Sequence, residues 1–181
     1  LDTGHHAYRG GDPVDFMRRR HDRIPYLHIK SVDAGVRSRV DAENLAMADA
    51  VKMGVMCEPS LGAVDFEGFA EVLRDEGYAT LCAGKWHLMP GTHVSAAGPF
   101  DQWPLGRGFE RFYGFLPGET DQFHPELVRD NTHIDPPATP EEGYHLSEDL
   151  VDQLLQMIND NKGLRPDRPF FAYLPFGATH A

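Results

Sequence analysis

Helical and strand spacings of apolar positions alternate along the chain. Asp12-Pro13 supplies an N-cap followed by proline at the first helical position, so a short helix is expected from Val14 to His21 with Phe16 and Met17 facing inward. Ile24 to Lys30 reads as a buried strand. Ala42 to Met53 is alanine-rich and reads as a helix with a loose apolar pattern. Asp65 caps a cleaner helix, in which Phe66, Phe69, Ala70 and Leu73 recur at helical spacing and Gly77 provides the stop. Gly77 to Ala83 then reads as a short buried strand. Helix, strand, helix, strand is the rhythm of a parallel α/β fold.

The second half is less periodic. Pro99 to Phe123 is rich in Gly, Pro and aromatic residues and reads as an ordered loop, with Trp103, Phe109, Phe112, Tyr113 and Phe115 as packing residues. Asp130 to Glu142 is proline-rich and loop-like. Ser147 is placed to cap a helix whose apolar face is Leu150, Val151, Leu154, Leu155 and Ile158, with Glu148 and Asp149 favourably placed in the first turn. Pro169 to Leu174 reads as the next buried strand, which delivers His180 just past its end.

Composition narrows the function classes. A formal net charge of −11 argues against non-specific nucleic-acid binding. No apolar run is long enough to span a bilayer, and no signal peptide precedes the first motif. The chain begins at Leu1 without Met, which suggests a fragment. Cys57 and Cys82 are too few for a disulfide framework. His93, His124, His133 and His145 lack ligand-like spacing and read as surface or structural residues.

The chemistry concentrates at Gly84-Lys85-Trp86-His87-Leu88. Alternation along an extended chain would point Lys85 and His87 the same way at a strand end. A cation beside an imidazole suits an anion with a proton to move. A bare Lys-x-His is more often a solvated loop, so the longer context decides. Pro99-Phe100-Asp101, Trp103-Pro104, Gly106-Arg107-Gly108-Phe109, Phe112-Tyr113-Gly114-Phe115, Gly118-Glu119-Thr120-Asp121-Gln122-Phe123 and Glu142-Gly143-Tyr144-His145-Leu146 follow in order, and the chain closes on Pro169 to Leu174 and Thr179-His180-Ala181.

This run, from about Gly77 to Ala181, resembles the sulfatase family, within it the larger bacterial arylsulfatases. The resemblance implies an alkaline-phosphatase-like α/β fold, a small-molecule sulfate ester as substrate, a Ca²⁺ or Mg²⁺ ion, and a formylglycine nucleophile made from Cys in a C-x-P-S-R motif. Lys85 would bind the sulfate and steady the nucleophile. His87 would hydrogen-bond the formylglycine hydrate, and His180 would contact the sulfate or protonate the leaving oxygen. Cys57-Glu58-Pro59-Ser60-Leu61 is read as a chance match, because Leu61 stands where Arg is required, so formylglycine is not expected. The aspartate pair of the metal site is also missing from this sequence.

The first part resembles something else. Leu1-Asp2-Thr3-Gly4-His5, Ile24 to Asp33, Cys57-Glu58-Pro59-Ser60 and Gly62-Ala63-Val64-Asp65-Phe66 are similar to the last third of a xylose-isomerase-like TIM barrel, as in inosose dehydratases and sugar epimerases. That resemblance implies a sugar or polyol substrate and Mn²⁺, Mg²⁺ or Zn²⁺ held in part by Asp2 and His28, with His5 touching substrate. Carboxylate plus imidazole at neighbouring strand ends is where such barrels do chemistry, but two ligands are half a site. A frayed Asp2 and a hydrogen-bonded His28 remain an equal alternative.

The expected organisation is therefore a partial TIM-barrel-like segment at residues 1–78, followed by a partial sulfatase segment at 79–181. The expected function is that of an arylsulfatase-like sulfate ester hydrolase fragment, inactive as given. A metal-dependent sugar isomerase, epimerase or dehydratase fragment and a non-catalytic chimeric α/β protein are the alternatives. Lys85, His87 and His180 are expected to converge, and the two halves to share no single core.

Overall fold

The computed structural model describes every residue except Glu58, Ser60, Leu61 and Thr179 to Ala181. The chain divides into two compact units, Leu1–Val72 and Leu73–Ala181.

The first unit is built from short helices. Asp2 accepts from the His5 backbone N–H at 2.8 Å and so caps α1 (Thr3–Tyr8), a helix the sequence pattern did not announce. Asp12 caps α2 (Pro13–Arg20) through 2.9 and 3.1 Å bonds to the backbone N–H groups of Val14 and Asp15, as expected, and Met17 is buried. The expected strand from Ile24 to Lys30 is reduced to one parallel bridge, Asp2 to His28, followed by β1 (Ser31–Val32). Pro25 has no N–H to give a ladder, and the neighbouring segment turns into α1 after two residues. The expected helix from Ala42 to Met53 is instead two: α3 (Ala34–Glu43), capped by Asp33, and α4 (Met47–Lys52). Asn44, in the left-handed region at φ 49°, closes α3 between them. β2 (Met56–Cys57) pairs antiparallel with β1. The core here is small: Val32, Val40, Ala50 and Val55, with Tyr8, Val36, Leu45 and Met56 against them.

Helix α5 (Phe66–Asp75) begins where expected, with Asp65 Oδ1 accepting from the Gly68 N–H at 2.9 Å. It ends at Gly77, whose φ of 80° lets the chain turn while the Tyr78 N–H returns to the Leu73 carbonyl at 2.9 Å.

The second unit is a five-stranded sheet in the order β6-β5-β4-β3-β7. The central β3 (Ala79–Lys85) lies parallel to both β4 (Arg111–Phe115) and β7 (Phe170–Tyr173). β5 (Leu127–Arg129) and β6 (Thr132–Ile134) continue the sheet antiparallel. Alternation sorts their side chains between two faces. Ala79, Leu81, Ala83, Tyr113, Phe115 and Leu127 face helix α6 (Leu146–Leu164) and pack on its Leu146, Leu150, Leu154 and Met157. Cys82, Phe112 and Val128 face the other way, under Trp86, Trp103 and Leu116. This second layer is pinned by indole N–H bonds, from Trp86 to the Gln102 carbonyl and from Trp103 to the His93 carbonyl, each 2.8 Å.

Three details differ from expectation. The run expected as loop between Pro99 and Phe123 contains β4, which is buried on both faces and so lacks a polar alternation to reveal it. The run from Asp130 contains β6, reached by a two-residue turn with Asp130 at φ 55°. α6 is capped by His145 Nδ1 accepting from the Ser147 N–H at 3.2 Å, not by Ser147, and Leu155 stays 51% exposed. At the opposite end of the sheet one guanidinium gathers the strand starts. Arg168 donates to the carbonyls of Gly77 and Tyr78 at 3.0 and 3.1 Å and to the Glu110 carboxylate at 3.0 and 2.5 Å.

Candidate functional site

In parallel α/β sheets ligands gather beyond the carboxyl ends of the strands. Lys85 stands at that end of β3, opposite Phe115 of β4, with its N–H bonded to the Pro175 carbonyl just past β7 at 2.8 Å. It is half-buried, and its ammonium has no ion-pair partner among the described residues. The next residues keep following the end of β4: Trp86 N–H bonds the Phe115 carbonyl at 2.9 Å and His87 N–H the Leu116 carbonyl at 3.0 Å. His87 is exposed and has φ 48°. Strand alternation therefore stops before His87: Lys85 is placed by the end of β3, and His87 by the irregular backbone that follows it. The imidazole rests on Gly118, where an added Cβ would meet its Cε1 at 2.8 Å.

The glycine pair behind Lys85 went unnoticed in the sequence. Gly84 and Gly114 face each other in the β3–β4 register with φ of 135° and 154°. A Cβ on Gly84 would lie 1.9 Å from the Pro175 carbonyl oxygen. The sharp exit of all three strands thus depends on the missing side chains. Farther inside, Asp149 is buried on α6 and accepts from the hydroxyls of Tyr113 at 2.6 Å and Tyr144 at 3.0 Å. Burial, then the Asp149 charge and hydrogen bonds, push both phenols well above their ordinary pKa. The pair fixes α6 on the sheet. His180 lies outside the described residues, so its convergence with Lys85 and His87 stays an expectation.

In the first unit the structure brings Asp2, His28 and His5 together. Asp2 Oδ2 stands 2.8 Å from His5 Nδ1, 3.0 Å from His28 Nδ1 and 3.0 Å from Lys30 Nζ. Burial alone would raise the Asp2 pKa, but the His5 backbone N–H, the His5 ring and Lys30 outweigh it and hold the carboxyl well below the usual range. An ammonium on the carboxylate occupies the place of a cation. Among the described residues no group of three or more His, Cys, Asp and Glu is arranged to hold a metal ion. Sulfatases generally use a metal ion. Cys57 is half-buried, whereas Cys82 is fully buried and its thiol is pushed up by that burial. No helix among the described residues is long and apolar enough to cross a membrane.

Comparison with known proteins returns both resemblances. An inosose dehydratase of Clostridium botulinum is 32% identical over 78 residues, covering 43% of this chain and 26% of the relative. The rhizopine catabolism protein MocC of Rhizobium meliloti is 39% identical over 78 residues, 43% of this chain and 24% of that protein. An uncharacterized sulfatase of Schizosaccharomyces pombe is 32% identical over 127 residues, 61% of this chain and 20% of its own length. The chain therefore spans about a quarter of the inosose dehydratase it matches. Among solved structures, Ps i-CgsB in complex with k-i-k-neocarrahexaose superposes with a TM-score of 0.50 at 21% identity, over 65% of this chain and 28% of that one, a likeness of fold. The family model described as Sulfatase matches residues 38–181, a span that includes Cys57 as well as the whole Lys85 edge. With that span covering most of its length and the alkaline-phosphatase-like α/β sheet beneath it, this chain belongs to the sulfatase family.

Proposed function

We propose that the carboxyl edge of β3, β4 and β7 is the anion-holding part of a sulfuric ester hydrolase site of the arylsulfatase kind. The observation that carries this is Lys85, a half-buried cation at the end of the central parallel strand with His87 two residues on, inside the span matched by the family model. Lys85 holds the sulfate group and offsets charge that grows on its oxygens. His87, exposed beside it, moves a proton. His180 contacts the sulfate or protonates the leaving oxygen.

The same reading holds that these residues bind aryl sulfates without turning them over. The sequence before Lys85 lacks the aspartate pair of the metal site, and Cys57 precedes Leu61 rather than the required Arg. Co-expression with a formylglycine-generating enzyme, followed by assay of a chromogenic aryl sulfate with Ca²⁺, tests this. The expected result is no multiple turnover and an unmodified Cys57 thiol by mass spectrometry. Hydrolysis that vanishes in Cys57→Ala would overturn it and make Cys57 the nucleophile. Binding is tested separately: sulfate should bind the native chain, and Lys85→Ala should weaken it by about tenfold or more, as for loss of a charged hydrogen bond.

A second reading concerns residues 1–78, proposed as a divalent-metal-dependent sugar isomerase, epimerase or dehydratase-like fragment that holds half a metal site. The Asp2–His28 bridge and the inosose dehydratase relatives favour it. Mn²⁺ followed by electron paramagnetic resonance should bind weakly, and Lys30→Ala should strengthen binding by uncovering the carboxylate. Tight binding to the native chain would restore a working metal site.

A further inference from the structure

Buried donors without acceptors are rare, and each calls for an explanation. Gln122 Nε2 is one: it is buried with no hydrogen-bond partner among the described residues. The rest of Gln122 is well held. Its carbonyl oxygen accepts from the Leu146 N–H at 2.8 Å, and its side-chain oxygen from the Ser147 hydroxyl at 3.4 Å. The first turn of α6 thus takes the oxygen end of the carboxamide and leaves the NH₂ end to face elsewhere.

That end lies beside Gly177, next to the tip of Phe115. A Cβ on Gly177 would stand 3.4 Å from Gln122 Nε2 and 2.9 Å from Phe115 Cζ. Phe115 is the register partner of Lys85, and Gly177 follows the Pro175 whose carbonyl holds the Lys85 N–H. The segment that carries Gln122 also carries Gly118, the seat of the His87 ring. One loop therefore sets His87 and Gln122 around the end of the central strand. A tetrahedral sulfate offers several acceptor oxygens, more than one ammonium can serve, and a neutral amide adds a directed hydrogen bond without adding charge.

We propose that Gln122 is a sulfate-binding residue, its Nε2 donating to a sulfate ester oxygen held at Lys85. This rests on reading that edge as the anion site. The test uses the full chain and inorganic sulfate at low ionic strength. Sulfate should shift the side-chain NH₂ resonance of Gln122 in the native protein. Gln122→Met should weaken sulfate binding by about tenfold, the size of one hydrogen bond to a charged group, without lowering the melting temperature. Gln122→Glu, of equal size but with an acceptor in place of the donor, should weaken it further. If sulfate binding depends on Lys85 but not on Gln122, or if the Gln122 resonance does not move, this inference fails alone. If Gln122→Met loses stability and keeps its sulfate affinity, the amide is structural and the inference fails likewise. If the native chain binds no sulfate, both it and the proposed function fall.

Discussion

Gly84 shows how much can hang on a hydrogen atom. Its positive φ and the Pro175 oxygen 1.9 Å from a would-be Cβ act together. Gly84→Ala is expected to cost more than about 3 kcal/mol, from overpacking and backbone strain combined. Gly91, with nothing within 4 Å of its Cβ position, is the control, and its alanine variant should stay within about 0.5 kcal/mol. Urea denaturation followed through Trp86 and Trp103 fluorescence measures both. A mild Gly84→Ala would mean that the strand exits are less constrained than the contacts indicate. Asp149 is the second such residue. Asp149→Ala strands two buried hydroxyls, for an expected loss of about 2–4 kcal/mol. The sequence marks Gly84 only as the start of the Lys85 motif and Asp149 only as a first-turn acid, because a close approach or a buried hydroxyl pair exists only in the fold.

Elements were legible where one physical cause governed them. Asp12-Pro13 and Asp65 announce α2 and α5 because an N-cap is local chemistry. β3 and β7 are legible as apolar runs at α/β spacing. β4 was not, since its Phe112-Tyr113-Gly114-Phe115 sits among so many other aromatic and glycine residues that no edge of the run is marked. The Ile24–Lys30 strand failed for the converse reason: apolar residues were present, but a strand also needs a partner, and among the described residues Asp2 alone bridges to it, at His28. Lys85 and His87 are singled out by motif order, and their role stays a proposal, whereas the orphaned amide of Gln122 depends on burial that only the fold creates. At this scale the joint between α6 and the sheet predicts a pH response. Tyr113 and Tyr144 have folded pKa values raised above the ordinary 10.0. A raised folded pKa contributes stability that is fully present below the unfolded value and lost as pH rises through the folded one. The melting temperature of the sheet unit should therefore fall above about pH 10. The double variant Tyr113→Phe, Tyr144→Phe should flatten that decline, and an unchanged slope would remove the tyrosines from the account.

For the molecule as a whole, the division into two compact units, each with apolar clusters among its described residues, carries a thermodynamic consequence. The small cluster around Val32, Val40, Ala50 and Val55 contrasts with the two-faced core of the sheet. Calorimetry should show two transitions, or a calorimetric enthalpy larger than the van 't Hoff value, with the tryptophan signal following only one of them. A single two-state transition would mean one cooperative core. The sheet itself has a kinetic side. β7 pairs with β3 over a long loop, and Arg168 reaches back to Gly77 across 91 residues. Long loops close late, so β3 must wait with one edge open until β7 has been synthesised. An apolar strand with an unpaired edge is the kind of surface that finds another copy of itself. Refolding yield should thus fall steeply with protein concentration, and the order in which the ribosome delivers the strands becomes part of how this sheet avoids aggregation.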